Sequence, residues 1–446
     1  MKLTIKTAGK PAKCDLLAFL VTEGGDPDVP ASVDVPEEFL RKFDAKPRAR
    51  RSTFALAGAA REVMLIGLGK LAEAVRRAAA IAVKEAEARG AKSVHIDVPG
   101  LVAEALSAKK SDGAEIAGRA ACEGARMAAY RYVTSKSAPE KAALGQIPIA
   151  GPGKVFARGA ELGEALSAAN AFTRDLQNGA GNVITPTALA KEAQKLAKKR
   201  PRVTAKVLDE ATMRRMGMGL LLGVSQGSTE PAKLIHLVYK PKGPAKRRVA
   251  FVGKGLTFDA GGYSLKGSAK MDEMRFDMSG GAAVLGAMHA LTALDVPIEV
   301  HGVVPSSENL IDGNATKPGD VHTGMSGTTV EILNTDAEGR LILADALTYV
   351  AQKVKPDVVV DLATLTGAVI VGLGHEVSGM FTASDELRDA LLDAGRASGE
   401  EVWPLPLLEA HREAMKGGSA DLANIGPPSL GAGPSQGAAF LSHFVG

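Results

Sequence analysis

Apolar residues follow two rhythms along the chain. Unbroken apolar runs at residues 249–253, 299–304, 329–333 and 358–362 predict strands buried on both faces of a mostly parallel sheet. Between them, apolar residues recur with helical spacing at 185–200, 279–294 and 341–354. The first of these helices carries its own punctuation, with Thr185 as N-cap, Pro186 at the first position and Pro201 as the stop. Such alternation predicts a three-layer α/β domain, whose ligands gather beyond the carboxyl ends of the strands.

The first part of the chain is less regular. Residues 1–6 alternate polar and apolar positions with no apolar signal-peptide core, which predicts a strand. A β-like run at 63–68 and Ala-rich helical stretches at 71–88 and 114–132 again predict α/β, with little chemistry in view. A Pro- and Gly-containing stretch at 138–153 precedes a helical pattern at 159–176, and the domain boundary is expected there. The expectation is a smaller N-terminal α/β domain over 1–155 and a catalytic α/β domain over 156–446, since 446 residues exceed what one core ordinarily organises.

Composition narrows the function. With 46% hydrophobic and 23% charged residues, the chain is neither disordered nor fibrous. Lys and Arg number 54 against 50 Asp and Glu, a balance of +4 that argues for neither nucleic acid nor an anionic membrane, and no apolar run is long enough to span a bilayer. Cys14 and Cys122 are too far apart in sequence for a CxxC metal site or a disulfide framework, so a reducing cytoplasm is the simplest compartment.

The chemistry concentrates behind two predicted strands. After 249–253 come Lys254, Asp259, Lys266 and Asp277, interleaved with Gly255, Gly261 and Gly262. After 329–333 comes Asn334-Thr335-Asp336-Ala337-Glu338-Gly339-Arg340-Leu341, in which Asp336 and Glu338 point the same way if the segment is extended. Most loop acids are simply solvated. Four carboxylates crowded by glycines and two lysines fit that reading less well, because they would repel and their pKa values would rise unless a cation neutralised them. Oxygen-rich sets without His suit Mn²⁺, Mg²⁺ or Zn²⁺, and a bridging carboxylate can hold two ions roughly 3.5–4 Å apart for metal-assisted hydrolysis.

The octapeptide 334–341 resembles the signature of the leucyl aminopeptidase (cytosol aminopeptidase) family at every position. The segment from Lys254 to Asp277 is similar too, with successive spacings of 5, 7 and 11 through Asp259 and Lys266 and a 59-residue step from Asp277 to Asp336. The resemblance runs from about Arg174 to the end. It implies two divalent ions, with Asp259 and Glu338 serving or bridging both, Asp336 completing one site, and Asp277 with the neutral amine of Lys254 completing the other. It further implies that Lys266 stays charged and faces the scissile carbonyl, and that Arg340 holds a bicarbonate acting as base towards water bridging the ions. Met274, Thr364 and Gly367 would line the pocket for the first side chain, and the Leu365 carbonyl would hold the peptide backbone. For Met274 and Thr364, a packing role is an equal alternative. The reaction so implied releases N-terminal residues, leucine and other apolar ones, from peptides with a free N-terminus, in a cytoplasmic homohexamer.

Other motifs carry less. Gly223-Val224-Ser225-Gln226-Gly227 fits GxSxG, which leaves a serine hydrolase using Ser225 as an alternative, but a nucleophile elbow needs a following helix and the strand-like run 233–239 follows instead. His375-Glu376 lacks the second His of HExxH, and Gly253-x-Gly255 lacks the third glycine of a dinucleotide site. The basic run 191–202 coincides with the polar face and end of one helix and reads as a solvated face, with a DNA-binding or non-catalytic scaffold protein as the remaining alternative. Two departures from the family pattern stand out. Ala180 and Gly181 occupy positions where the family has prolines, so a looser interdomain connection is expected. The sequence ends on the apolar pattern at 438–445, where the family continues through a Trp-containing strand and a helix, so a longer natural chain is expected.

Overall fold

A computed structural model describes residues 2–7, 13–22, 29, 32–40, 43–68, 72–106, 110–132, 136–138 and 144–445. Met1, Leu71, Gly446 and part of the 138–153 stretch lie outside the described residues. The chain divides into two compact units, Met1–Ala171 and Phe172–Gly446. The division lies within one long helix, Gly153–Asn178, later than the expected position 155. Its early residues Phe156 and Ala160 are buried in the first unit's core, and Leu176 in the second's. The 138–153 stretch, where the boundary was expected, is described only in part. It contains the strand Gln146–Gly151, whose Ile147 and Ile149 are buried.

The first unit is built on a six-stranded sheet in the order Lys2–Thr7, Gln146–Gly151, Val94–Asp97, Cys14–Val21, Ala60–Gly67, Arg50–Phe54. All neighbours are parallel except the last pair. The helices Ala72–Ala88 and Lys110–Ala129 bury alanine-rich stripes against it. They approach so closely that a Cβ on Gly124 would lie 1.9 Å from the Arg76 carbonyl oxygen, so only glycine fits there. Both cysteines are buried and free, and burial pushes the Cys14 thiol up to about 11.

The second unit carries a mixed sheet in the order Val358–Leu362, Arg248–Gly253, Glu299–Asn309, Lys233–Tyr239, Val203–Leu208, with Gly255–Asp259 also paired to Glu299–Asn309. The first three strands are parallel; Lys233–Tyr239 runs antiparallel to both of its neighbours, so Val203–Leu208 again shares the direction of the first three. Strand alternation divides the core into two layers. Val300, Val304, Ile235 and Leu237 pack with the helices Pro186–Lys199 and Ser279–Leu294. Val303, Ala250, Val252 and Leu234 pack with Gly219–Ser225, Gly339–Tyr349 and Gly433–Ser442. The expected three-layer α/β architecture is present, with Thr185 capping the helix Pro186–Lys199 through the Ala188 N–H. One strand is placed differently from expectation. Thr329–Glu331 belongs to a separate three-stranded sheet with Val321–Thr323 and Leu422–Ala423, because its polar side chains tie to the 418–421 turn: Thr329 to Asp421, and Glu331 to the Gly418 and Ser419 N–H groups.

Candidate active site

Two of the charged residues stand at the ends of parallel strands, Lys254 just after Arg248–Gly253 and Asp259 at the end of Gly255–Asp259. Lys254 follows Arg248–Gly253, donating its N–H to the Leu362 carbonyl and accepting from Gly281 N–H at the start of the helix Ser279–Leu294. This junction needs glycine, since a Cβ on Gly280 would lie 1.9 Å from the Leu362 oxygen. The Lys254 side chain is fully buried, with Nζ 2.7 Å from Asp277 Oδ2, 2.8 Å from Glu338 Oε1 and 3.1 Å from the Thr364 carbonyl oxygen. Gly339 is explained by the same amine, because a side chain there would meet Lys254 Nζ at 2.7 Å.

Asp259 ends the strand Gly255–Asp259. Its Oδ1 accepts from Gly261 N–H and Asn309 Nδ2, each at 2.9 Å, while its Oδ2 lies 2.7 Å from Lys266 Nζ. Lys266 also hydrogen-bonds Asp336 Oδ1. Asp277 follows the short turn Met271–Phe276, its N–H donating to the Met274 carbonyl and its Oδ1 accepting from the Thr364 hydroxyl at 2.6 Å. Asp336 and Glu338 do converge, though through a turn rather than an extended segment, and Asp336 N–H donates to Asn334 Oδ1. Asn424, wholly buried, braces that turn: its Oδ1 accepts from the Leu333 and Asn334 N–H groups, and its Nδ2 donates to the Asn334 and Ala337 carbonyls.

Oxygens of Asp259, Asp336 and Glu338 lie within 4.8 Å of one another. Burial raises the pKa of Asp277 and Asp336 and pushes Glu338 up to about 7, where neighbouring Asp259 and Asp277 add to the effect and Lys254 opposes it. Burial alone would lower both lysines. The adjacent carboxylates outweigh it and hold both ammonium groups protonated. Arg340, at the start of the helix Gly339–Tyr349, donates Nη1 to the Asn424 carbonyl and is pushed down to about 10 by burial; its buried Nε makes no hydrogen bond among the described residues.

The remaining expected residues lie on two loops. Met274 is half-buried on the turn before Asp277, Leu365 packs partly against the core, and Gly367 is exposed. Thr364 is tied to Asp277 and Lys254, contacts that a pocket-lining role alone does not explain. Sequence reasoning missed Asn309 and Asn424; the first lies just past the predicted strand 299–304 and the second carries no charge. Ser225 closes the helix Gly219–Ser225, and its hydroxyl donates to the Leu222 carbonyl rather than standing at a nucleophile elbow.

A two-unit α/β enzyme with a buried acidic centre at its strand ends is the class this geometry defines. Residues 171–446 match the sequence model described as "Cytosol aminopeptidase family, catalytic domain", and residues 40–139 match its N-terminal domain. The "Probable cytosol aminopeptidase" of Nitrosococcus oceani is 44% identical over 416 residues, 90% of this chain and 81% of that protein. The protein of the same description from Bordetella petrii is 43% identical over 91% of this chain and 82% of its own. Among solved structures, a tomato leucine aminopeptidase mutant superposes with a TM-score of 0.87 at 31% identity, covering 100% of this chain and 89% of that one. A bottromycin maturation enzyme solved in complex with Mn superposes at 0.84 with 33% identity, covering 97% and 90%. The chain belongs to the cytosol aminopeptidase family; it is a peptidase that acts on peptide substrates. No helix among the described residues is long and apolar enough to cross a membrane.

Proposed function

We propose that this aminopeptidase depends on divalent metal and releases apolar N-terminal residues, leucine among them. The charge balance of the site carries the reading: Asp259, Asp277, Asp336 and Glu338 face Lys254 and Lys266, leaving two negative charges in excess in a largely buried cluster. Buried charge without a partner is costly, and an oxygen-rich donor set with one amine suits Mn²⁺, Zn²⁺ or Mg²⁺. Asp259 and Glu338 would serve two ions, with Asp336 completing one site and Asp277 with Lys254 the other. Lys254 can contribute only as the neutral amine, so its proton must leave when an ion enters. The ions, when bound, supply Lewis-acid polarisation of the peptide carbonyl and a water acidic enough to attack at neutral pH.

The chain's own residues do the rest. Lys266 keeps its charge, and its side chain is 23% exposed, so the ammonium can reach the carbonyl oxygen as that atom gains negative charge. Arg340, anchored by Asn424, offers Nε to an anion such as bicarbonate, which would take the attacking water's proton. Met274, Leu365 and Gly367 border the side where the first residue of the peptide would lie, while Thr364 holds Asp277. A free α-amine is needed to engage the acidic centre, which makes the enzyme an exopeptidase. The test is hydrolysis of leucine amide and N-acetyl-leucine amide after chelation and metal restoration. Cleavage of the free amide alone, and with metal alone, is expected. Cleavage that survives chelation and is stopped by a serine-directed reagent would overturn the reading in favour of Ser225.

A further inference from the structure

We infer that Asn309 is a positioning residue that presets the acidic centre, an inference that rests on the metal-dependent reading above. Asn309 is the last residue of the strand Glu299–Asn309 and stands in register with Asp259, the last residue of the neighbouring strand. It is 5% exposed. Its backbone carbonyl accepts from Ala260 N–H at 3.0 Å, which locks the two strand ends together. Its amide then uses both N–H groups on the two loops that carry the acids: Nδ2 donates to Asp259 Oδ1 at 2.9 Å and to the Thr335 carbonyl oxygen at 3.0 Å.

The consequences are geometric. Asp259 Oδ1 is occupied by two N–H donors, from Asn309 and Gly261, so the carboxylate cannot rotate freely and Oδ2 is the oxygen turned towards Lys266. Thr335 immediately precedes Asp336, so the second bond fixes the acid-bearing turn against Asp259. The amide oxygen is packed too, since a Cβ on Gly262 would lie 2.8 Å from Asn309 Oδ1. Because the amide is neutral, it orients Asp259 without cancelling the charge that a cation needs. A lysine or arginine in this place would hold the carboxylate as firmly and compete with the ion. Outer groups of this kind set the orientation of metal-binding side chains, and losing one typically costs about 10–100-fold in metal affinity.

The experiment measures Mn²⁺ binding directly. Wild type, Asn309→Ala and Asn309→Ser are stripped with chelator and dialysed, their melting is recorded, and Mn²⁺ is titrated against a competing fluorescent chelator. Steady-state kcat and KM for a leucine amide are then measured at saturating Mn²⁺. The expected result is a loss of Mn²⁺ affinity of about 10-fold or more in Asn309→Ala. A smaller loss is expected in Asn309→Ser, whose one hydroxyl can reach only one partner, with KM unchanged within about threefold in both. If Asn309→Ala does not fold, Asn309→Ser carries the test. Wild-type Mn²⁺ affinity in a cooperatively melting variant would overturn the inference and leave the metal reading intact. A wild-type protein that binds no Mn²⁺ would overturn the metal reading and this inference with it.

Discussion

Buried charge is handled differently in the two units. In the first, buried Arg76 is matched by carboxylates: it donates Nε and Nη2 to buried Glu123 Oε2 at 2.9 and 2.7 Å and Nη1 to Glu73. In the second, four acids share two lysines, and burial raises three of those acids. Matched pairs hold structure together. An unmatched cluster stores an appetite for positive charge, and that is where chemistry is expected.

The largest effect that would break this contrast is at Glu338. Glu338→Ala should lower kcat/KM by about 10³-fold, several kcal/mol of lost charge stabilisation, while the protein still folds. Steady-state assays with circular dichroism as the folding check decide it. In the first unit, Glu123→Ala should do the opposite, costing about 2 kcal/mol of stability because buried Arg76 keeps only Glu73 as a partner, while folded enzyme keeps its kcat. A melting experiment paired with an assay at low temperature separates the two. Lys266→Ala should lower kcat by about 10² with metal content near wild type, because its charge matters most in the transition state. If elemental analysis showed the metals gone and their resupply restored full activity, that role would be wrong.

Smaller effects sharpen the picture. Thr364→Val should lower kcat/KM by about 10-fold without changing the preference for leucine over alanine amides, whereas a pocket role predicts a changed preference. Asp345 supplies a pH handle outside the acidic cluster, since burial pushes its carboxyl up to about 7 even though it accepts the Leu221 and Met325 N–H groups. Its folded-state pKa exceeds the unfolded value of about 4, so the folded chain holds the proton more tightly. The stability this lends is complete below about pH 4 and lost as pH rises to about 7. Asp345→Asn should flatten that part of the melting-temperature profile by a few degrees, measured by calorimetry from pH 4 to 8.

Much of the second unit was legible because its signals are local. The run 358–362 and the helical pattern 279–294 coincide with the strand Val358–Leu362 and the helix Ser279–Leu294, since apolar rhythm and flanking residues determine both. The strand at 329 was visible, but its sheet was not, because pairing with Leu422–Ala423 depends on residues 92 positions away. The acids could be read from type and spacing. Asn309, Asn424 and the Thr364–Asp277 bond could not, because a neutral amide or hydroxyl announces nothing until tertiary placement gives it partners. In the first unit the alanine-rich helices were plain, while Gln146–Gly151 hid in a Pro- and Gly-containing stretch.

The claim that the second unit's unmatched acids are a seat for cations is tested most directly by counting ions. Protein stripped by chelation, dialysed against excess Mn²⁺ and passed through a desalting column should carry two manganese ions per chain by elemental mass spectrometry. Glu338→Gln should carry fewer. A wild-type chain that retains no divalent ion and still hydrolyses leucine amide would contradict the account.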